Sequence, residues 1–371
     1  MMAGGCWGMA LCYTLSRARS RHSTPASGWV TRSAMSIAKT LHHPFAAGML
    51  PLPVSGFILN VQADAELPPG LRALTCVTGF KPAHDALTAA GFRVAQTLPD
   101  GEYQAGLCLM TKHKAESLAS IAQAWDALPV GGLLVCSGDN DTGVTSLMKA
   151  VKDAFGEVES LSKYHARVFW WRKGAGEAPA VLADWRAGGA VRPVAATGFT
   201  AGPGMHGWNK IDIGSRLLAA QFPGAIRGRV ADLGAGWGYL SAELLRAAPG
   251  RVTGLDLYEA DAASLAAAAV NVAPLAGGTV LKYHWADVTA GLPRGRFDWV
   301  ITNPPFHTGK ATDVTLGSQF ITRAAEALGS GGTMLLVANK HLPYEAVVDK
   351  HFKSRRTVAE ADGFKVIEGK R

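Results

Sequence analysis

Phe297-Asp298-Trp299-Val300-Ile301-Thr302-Asn303-Pro304-Pro305-Phe306-His307 is an apolar run that stops at a polar residue and two prolines. The pattern predicts a buried strand ending abruptly at its carboxyl end. In open α/β sheets that edge is where ligands bind. The side-chain carbonyl of Asn303 and the main-chain carbonyl of Pro304 offer two acceptors, matching the two hydrogens of an exocyclic nucleobase NH2. Pro305 stiffens the turn through its fixed φ, and Phe306 presents a ring face on which a planar base stacks. The plainer alternative is a Pro-Pro turn with Phe306 in an ordinary core. The preceding segments decide between the two.

Upstream, Arg229-Val230-Ala231-Asp232-Leu233 is a short apolar strand running into Gly234-Ala235-Gly236-Trp237-Gly238 and a predicted helix over 239–248. Glycines here let the backbone turn tightly and let a ligand approach the helix start. A glycine loop alone also fits a nicotinamide site. Two further strands follow, each ending in an acid: 252–256 at Asp256 and 283–287 at Asp287. Asp256 is expected to accept both ribose hydroxyls of an adenosine-containing cofactor, and Asp287 to accept from its adenine amino group. Any one of these acids suits an ordinary helix cap; the series, closed by Asn303, is the layout for S-adenosylmethionine. Asp232 is expected near the cofactor's methionyl ammonium, with Gly234, Gly236 and Gly238 forming the cradle and Asn303 at its inner end. No phosphate loop occurs, and the histidines show no metal-ligand spacing.

Towards the end of the chain a fifth strand is expected at 333–338, then a hairpin of 357–361 and 364–367 split by Asp362-Gly363. The fold class is therefore α/β, with a mostly parallel sheet and a terminal antiparallel hairpin. That ending separates class I methyltransferases from the dehydrogenase fold.

The first half repeats this plan. Strands are predicted at 71–77, 106–110 and 133–136, helices at 82–90, 113–128 and 144–155, and a hairpin over 158–172. Gly131-Gly132 and Gly331-Gly332 sit in similar segments 200 positions apart, as an internal duplication requires. The first half lacks the glycine loop. Where the second has Asn-Pro-Pro-Phe, it has Met110-Thr111-Lys112-His113-Lys114. It is read as a degenerate Rossmann-like copy over 35–173 that scaffolds or helps hold RNA. A Gly/Ala/Pro-rich linker is expected at 174–203, and the catalytic domain at 204–371.

The 371 residues suffice for two cores, and a hydrophobic content of 48% describes an ordinary globular chain. No apolar run approaches the span of a membrane helix. The formal charge is +8, but Arg17, Arg19, Arg21 and Arg32 lie in the first 34 residues, which hold no acid. The remainder is mildly basic, compatible with RNA. Residues 1–34 are expected to be a disordered or artefactual extension, with translation starting at Met35 or a mitochondrial presequence as alternatives. The five cysteines form no C-x-x-C. Cys76, Cys108 and Cys136 lie in apolar runs, as buried thiols of a reducing cytoplasm do.

Four segments carry a resemblance. They are Pro203-Gly204-Met205-His206-Gly207-Trp208-Asn209-Lys210-Ile211-Asp212-Ile213-Gly214-Ser215, Asp232 to Gly238, Asn303 to Gly309, and Val337-Ala338-Asn339-Lys340-His341-Leu342-Pro343-Tyr344. Together with Ser137-Gly138-Asp139-Asn140-Asp141-Thr142-Gly143, they resemble the bacterial small-subunit (16S) ribosomal RNA guanine-N2 methyltransferases from Met35 onward. The resemblance implies methyl transfer from S-adenosylmethionine to a guanine amine of small-subunit RNA, within an assembled or partly assembled subunit, by a cytoplasmic monomer. Asn303, Pro304 and Phe306 would be catalytic, and Pro305, Phe306, His307 and Lys340 would hold substrate. Trp208, Lys210 and Asp212 either cover the cofactor or belong to a plain entry helix. Alternatives stay open: a large-subunit guanine or another planar amine as target, or a non-catalytic ribosome-assembly factor with a vestigial cofactor site.

Overall fold

The computed structural model describes residues 32–371 apart from 63–66, 195–196, 223, 306, 309–310 and 313. The proposed extension thus lies outside the described residues up to position 31. The first half comprises α1 (Arg32–Ala46), β1 (Gly56–Leu59), β2 (Thr75–Val77), α2 (Lys81–Ala89), β3 (Arg93–Ala95) and β4 (Ala105–Leu109). It continues with α3 (Lys114–Ala127), β5 (Leu133–Asp139), α4 (Val144–Phe155), β6 (Glu159–Lys163) and β7 (Ala166–Arg172). Between the halves lie α5 (Val181–Gly189), β8 (Arg192–Pro193) and β9 (Thr200–Ala201). The second half has α6 (Ile213–Ala219), β10 (Gly228–Leu233), α7 (Tyr239–Ala247), β11 (Val252–Glu259), α8 (Ala262–Val272), β12 (Val280–Trp285) and β13 (Phe297–Thr302). It ends with β14 (His307–Thr308), β15 (Ala311–Thr312), α9 (Val314–Ala327), β16 (Leu328–Asn339), α10 (Glu345–His351), β17 (Ser354–Ala361) and β18 (Phe364–Lys370).

Each half folds around a seven-stranded sheet, with orders β3-β2-β1-β4-β5-β7-β6 and β12-β11-β10-β13-β16-β18-β17. The two orders are the same order. In the second sheet all pairs are parallel except those made by β18 with β16 and β17. The closing hairpin turns at Asp362 and Gly363, both at positive φ (50° and 80°), the conformation a two-residue hairpin loop demands. Central strands are apolar on both faces because helices cover both. Val300 enters the core under α9 and α10, while its neighbour Ile301 enters the one beneath α7 and α8.

The reversal of strand order at β10/β13 opens the carboxyl edge of the second sheet, where the chain after β10, β11 and β13 must turn away. The first sheet has the same reversal at β1/β4 but a different first crossover. Among the described residues, β1 and β2 are joined by no α-helix, only a 3-10 turn at Pro69–Leu71. The strand expected at 71–77 is Thr75–Val77 alone, and β1 precedes it at Gly56–Leu59, where no strand is expected. Cys76, Cys108 and Cys136 are buried free thiols.

The stretch 174–203 is more ordered than its composition suggests. Leu182 and Trp185 of α5 are buried in a first-half core, whereas Val194, Phe199 and Ala201 belong to a second-half core. The passage from one core to the other falls between Gly189 and Val194. No helix among the described residues is long and apolar enough to cross a membrane.

Candidate active site

A cleft of about 650 Å³ opens at the carboxyl ends of β10, β11 and β13. Its walls are the glycine loop, Glu259 to Asp261, Ala286 and Val288, and Asn303 to Pro305. Gly204 to His206, Asp212, Ser215, Asn339 and Phe364 close the other side. Two wall residues, Phe80 and Lys112, come from the first half.

The glycine loop turns out of β10 with Gly236 at φ +54 and Gly238 at φ +88, a region closed to most side chains. A Cβ on Gly238 would stand 2.7 Å from Val272 Cγ2 and 3.1 Å from the Ala268 main chain, so this glycine lets α7 and α8 meet. A Cβ on Gly236 would meet nothing within 4 Å. That position forms an open cradle. Its N–H donates to Glu259 Oε2 at 2.8 Å, while Glu259 Oε1 accepts from Asp261 N at 2.8 Å.

Glu259 is the acid at the end of β11, and it corrects the expectation for Asp256. β11 does not stop at Asp256 but runs three residues further. Asp256 lies inside the strand, 2% exposed, with Oδ1 bonded to His284 Nε2 at 2.8 Å and Oδ2 3.7 Å from Arg229 Nη2. It does not line the cleft. The signal was present in the apolar pair Leu257-Tyr258, which continues the strand beyond the acid. Burial pushes the Glu259 carboxyl up, although the backbone N–H groups it accepts from pull it down.

Asp287 sits two residues past β12, between the lining residues Ala286 and Val288. Its Oδ1 accepts from Thr289 N at 2.8 Å and Thr289 Oγ1 at 2.7 Å, so it also caps the turn that follows. Asp232, fully buried at the end of β10, receives Ser241 Oγ on Oδ2 at 2.8 Å. Its Oδ1 is buried with no partner among the described residues. Desolvation, joined by the charge of Glu259 and opposed by the Ser241 bonds, pushes this carboxyl up to about 7. An orphaned buried carboxylate oxygen beside a glycine cradle fits the ammonium end of S-adenosylmethionine.

Asn303 follows β13. Its Nδ2 donates to Asp212 Oδ2 at 2.9 Å and Ser215 Oγ at 2.8 Å, which uses both amide hydrogens. Oδ1 is buried and, among the described residues, without a partner. Pro304 and Pro305 line the cleft beside it. Phe306 lies outside the described residues. His307 belongs to the short pair β14/β15. Lys340 pairs its exposed ammonium with Glu360 at 2.6 Å, outside the cleft, whose lining takes the neighbouring Asn339. Of Trp208, Lys210 and Asp212, Asp212 alone lines the cleft. Trp208 lies under the Arg192 guanidinium at 4.7 Å.

Of the first half's two wall residues, Lys112 lies in the stretch that stands where the second half has Asn-Pro-Pro-Phe, whereas Phe80 carried no sequence signal. The loop after β2 runs antiparallel to the loop after β11, with Phe80 bridged to Asp261. Lys81 N donates to Ala260 O at 2.8 Å and Ala262 N to Gly79 O at 2.9 Å. Trp285 Nε1 donates to both Gly79 O and Ala260 O, at 2.8 and 2.9 Å.

The Methyltransferase small domain family model matches residues 196–368. Ribosomal RNA small subunit methyltransferase C of Shewanella baltica is 31% identical over 241 residues, covering 64% of this chain and 67% of that protein. The protein of the same name from Erwinia tasmaniensis is 30% identical over 292 residues, with 74% and 77% covered. Among solved structures, the T. thermophilus 16S rRNA N2 G1207 methyltransferase in complex with AdoMet and guanosine matches with a TM-score of 0.73. That match has 25% identity and covers 90% of this chain and 91% of the other. Fold, cleft and relatives define a class I, S-adenosylmethionine-dependent methyltransferase. The chain belongs to the ribosomal RNA small subunit methyltransferase C family.

Proposed function

We propose that this chain transfers a methyl group from S-adenosylmethionine to the exocyclic N2 amine of a guanine in small-subunit ribosomal RNA. The observation that carries this reading is the polarity of the Asn303 amide. Its hydrogens are spent on Asp212 and Ser215, and its buried Oδ1 is left as an acceptor with no partner among the described residues. A site built to receive hydrogens from an NH2 group needs acceptors of this kind. The names of the relatives and the guanosine held by the T. thermophilus enzyme support guanine as that group's bearer.

When bound, the cofactor supplies a methyl group made electrophilic by its sulfonium. Asp232 Oδ1 would receive the ammonium end, Glu259 the ribose hydroxyls, and Asp287 the adenine edge. Asn303 Oδ1 and Pro304 O accept the two N–H groups of the target. They would fix the orientation of the target nitrogen, whose lone pair is otherwise delocalised into the ring. Alignment of this kind contributes about 7–11 kcal/mol in favourable cases. The base leaves its stack at a cost of a few kcal/mol, and stacking on Phe306, about 1–3 kcal/mol, offsets part of it. The amine's proton departs to water after transfer, so no side-chain base is assigned, and His307 is kept as a substrate contact. The substrate is taken to be an assembled or partly assembled subunit, approached by a monomer whose first half walls the cleft through Phe80 and Lys112.

Asn303→Ala tests the reading. S-adenosylmethionine affinity by calorimetry should stay within a few-fold, while turnover on undermethylated small subunits should fall about 10²–10³-fold, the scale of one lost preorganised polar contact. Wild-type turnover in this variant would remove Asn303 from the chemistry.

A further inference from the structure

We propose that Asp212 is a positioning residue for the transfer, because the oxygen with which it caps α6 fixes which end of the Asn303 amide faces the target amine. The inference rests on the role given to Asn303 above. An amide is nearly symmetric in shape, and its partners decide its orientation. Ser215 Oγ does not decide, because a hydroxyl both donates and accepts. Asp212 Oδ2 does. It accepts from Ser215 N at 2.8 Å as the cap of α6, so a hydrogen-bond acceptor must stand at that point. Only the Nδ2 end of Asn303 can lie 2.9 Å from it, and the Oδ1 end would meet another oxygen.

A polarity is thus handed from the start of a helix to the reacting centre. The backbone N–H of Ser215 sets the oxygen, and the oxygen sets the amide. The arrangement is held in place by packing. A Cβ on Gly214 would stand 2.9 Å from the Phe364 ring, so the first turn of α6 is pressed against β18. On the other side, His206 Nε2 lies 3.6 Å from Asp212 Oδ1. Burial opposes the charge of Asp212, but the nearby His206 and the bonds from the Ser215 N–H and Asn303 outweigh it and hold the carboxyl at about 2. The capping acceptor therefore stays ionised and proton-free at any pH at which the enzyme works.

Helix capping alone does not require an aspartate. Serine caps as well, but its hydroxyl is too short to serve Asn303 also. Asp212→Ser should accordingly keep the melting temperature within a few degrees and S-adenosylmethionine affinity within a few-fold. Its kcat on undermethylated small subunits should fall ten-fold or more. Asp212→Asn keeps an oxygen where the Ser215 N–H demands one, and it should recover most of that loss. Wild-type kcat in Asp212→Ser would overturn the proposal, as would equal losses in the Ser and Asn variants or a parallel loss of cofactor affinity. Asn303→Ala run alongside separates the two levels. If that variant is inactive while Asp212→Ser turns over normally, only this inference fails. If Asn303→Ala is itself active, the function assigned to the loop fails first.

Discussion

Phe80 and Asp261 hold the same position in the two halves, the residue preceding the helix after the second strand, and they pair with each other. The bonds on either side, Lys81 N to Ala260 O and Ala262 N to Gly79 O, are images of one another. The two copies therefore meet about a local two-fold axis running between equivalent loops. The carboxyl edge of the sheet without a glycine loop is turned toward the edge that has one. This explains how Phe80 comes to wall a cleft belonging to the other half.

Trp285 straddles that axis by donating to a carbonyl of each copy. Trp285→Phe keeps the ring and removes the donor. Unfolding free energy from urea titration should drop by about 1–2 kcal/mol, the worth of one or two net hydrogen bonds. An unchanged midpoint would mean that the tryptophan only fills space.

Glu259 and Asp256 can be told apart by binding. Glu259→Gln should weaken S-adenosylmethionine ten-fold or more, since charged hydrogen bonds contribute about 1.5–3 kcal/mol. Asp256→Asn should leave affinity within a few-fold and show its effect as lost stability, because His284 and Arg229 lose their shared anion. The opposite pattern would return the ribose to Asp256.

Two glycines of one loop should fail in different ways. Gly238→Ala forces a methyl against Val272 and Ala268 and should lower the melting temperature markedly. Gly236→Ala places its methyl in open space at the cleft. It should cost about 1 kcal/mol of stability for the positive φ, with its larger effect a loss of cofactor affinity measured by calorimetry.

The carboxyl of Asp232 titrates at about 7 in the folded protein against an ordinary 3.8. Between those values the folded state carries a proton that the unfolded state has lost, so this group makes stability fall as pH rises from about 4 to about 7 and leaves it level above. Cofactor binding runs the other way, since the ammonium needs the anion. Affinity should rise from pH 6 to 7, and Asp232→Asn should abolish the slope. If wild type and variant share the same slope, Asp232 does not hold the ammonium.

The features legible in the sequence were those with local chemistry: the glycine loop, the Asn303-Pro304 stop, and the Asp362-Gly363 turn with its two positive φ values. The misplaced ones depended on extent. Asp256 resembled a strand end because an acid usually is one, yet Leu257 and Tyr258 carry β11 on to Glu259. β1 spans four residues, Gly56–Leu59, too few for a pattern to declare itself. α5 is a short helix among glycines and alanines, recognisable only once Leu182 and Trp185 have a core to enter. Phe80 and Ser215 were beyond reach for another reason: their roles exist only after distant segments dock.

The seam between the copies is written in main-chain donors and acceptors at 79–81 and 260–262, so it is indifferent to most side chains there. Drift in either copy can erase catalytic groups without loosening the union, as long as the backbone path survives. A duplicated domain in this position is free to forget its chemistry and still keep its sibling's doorway in shape.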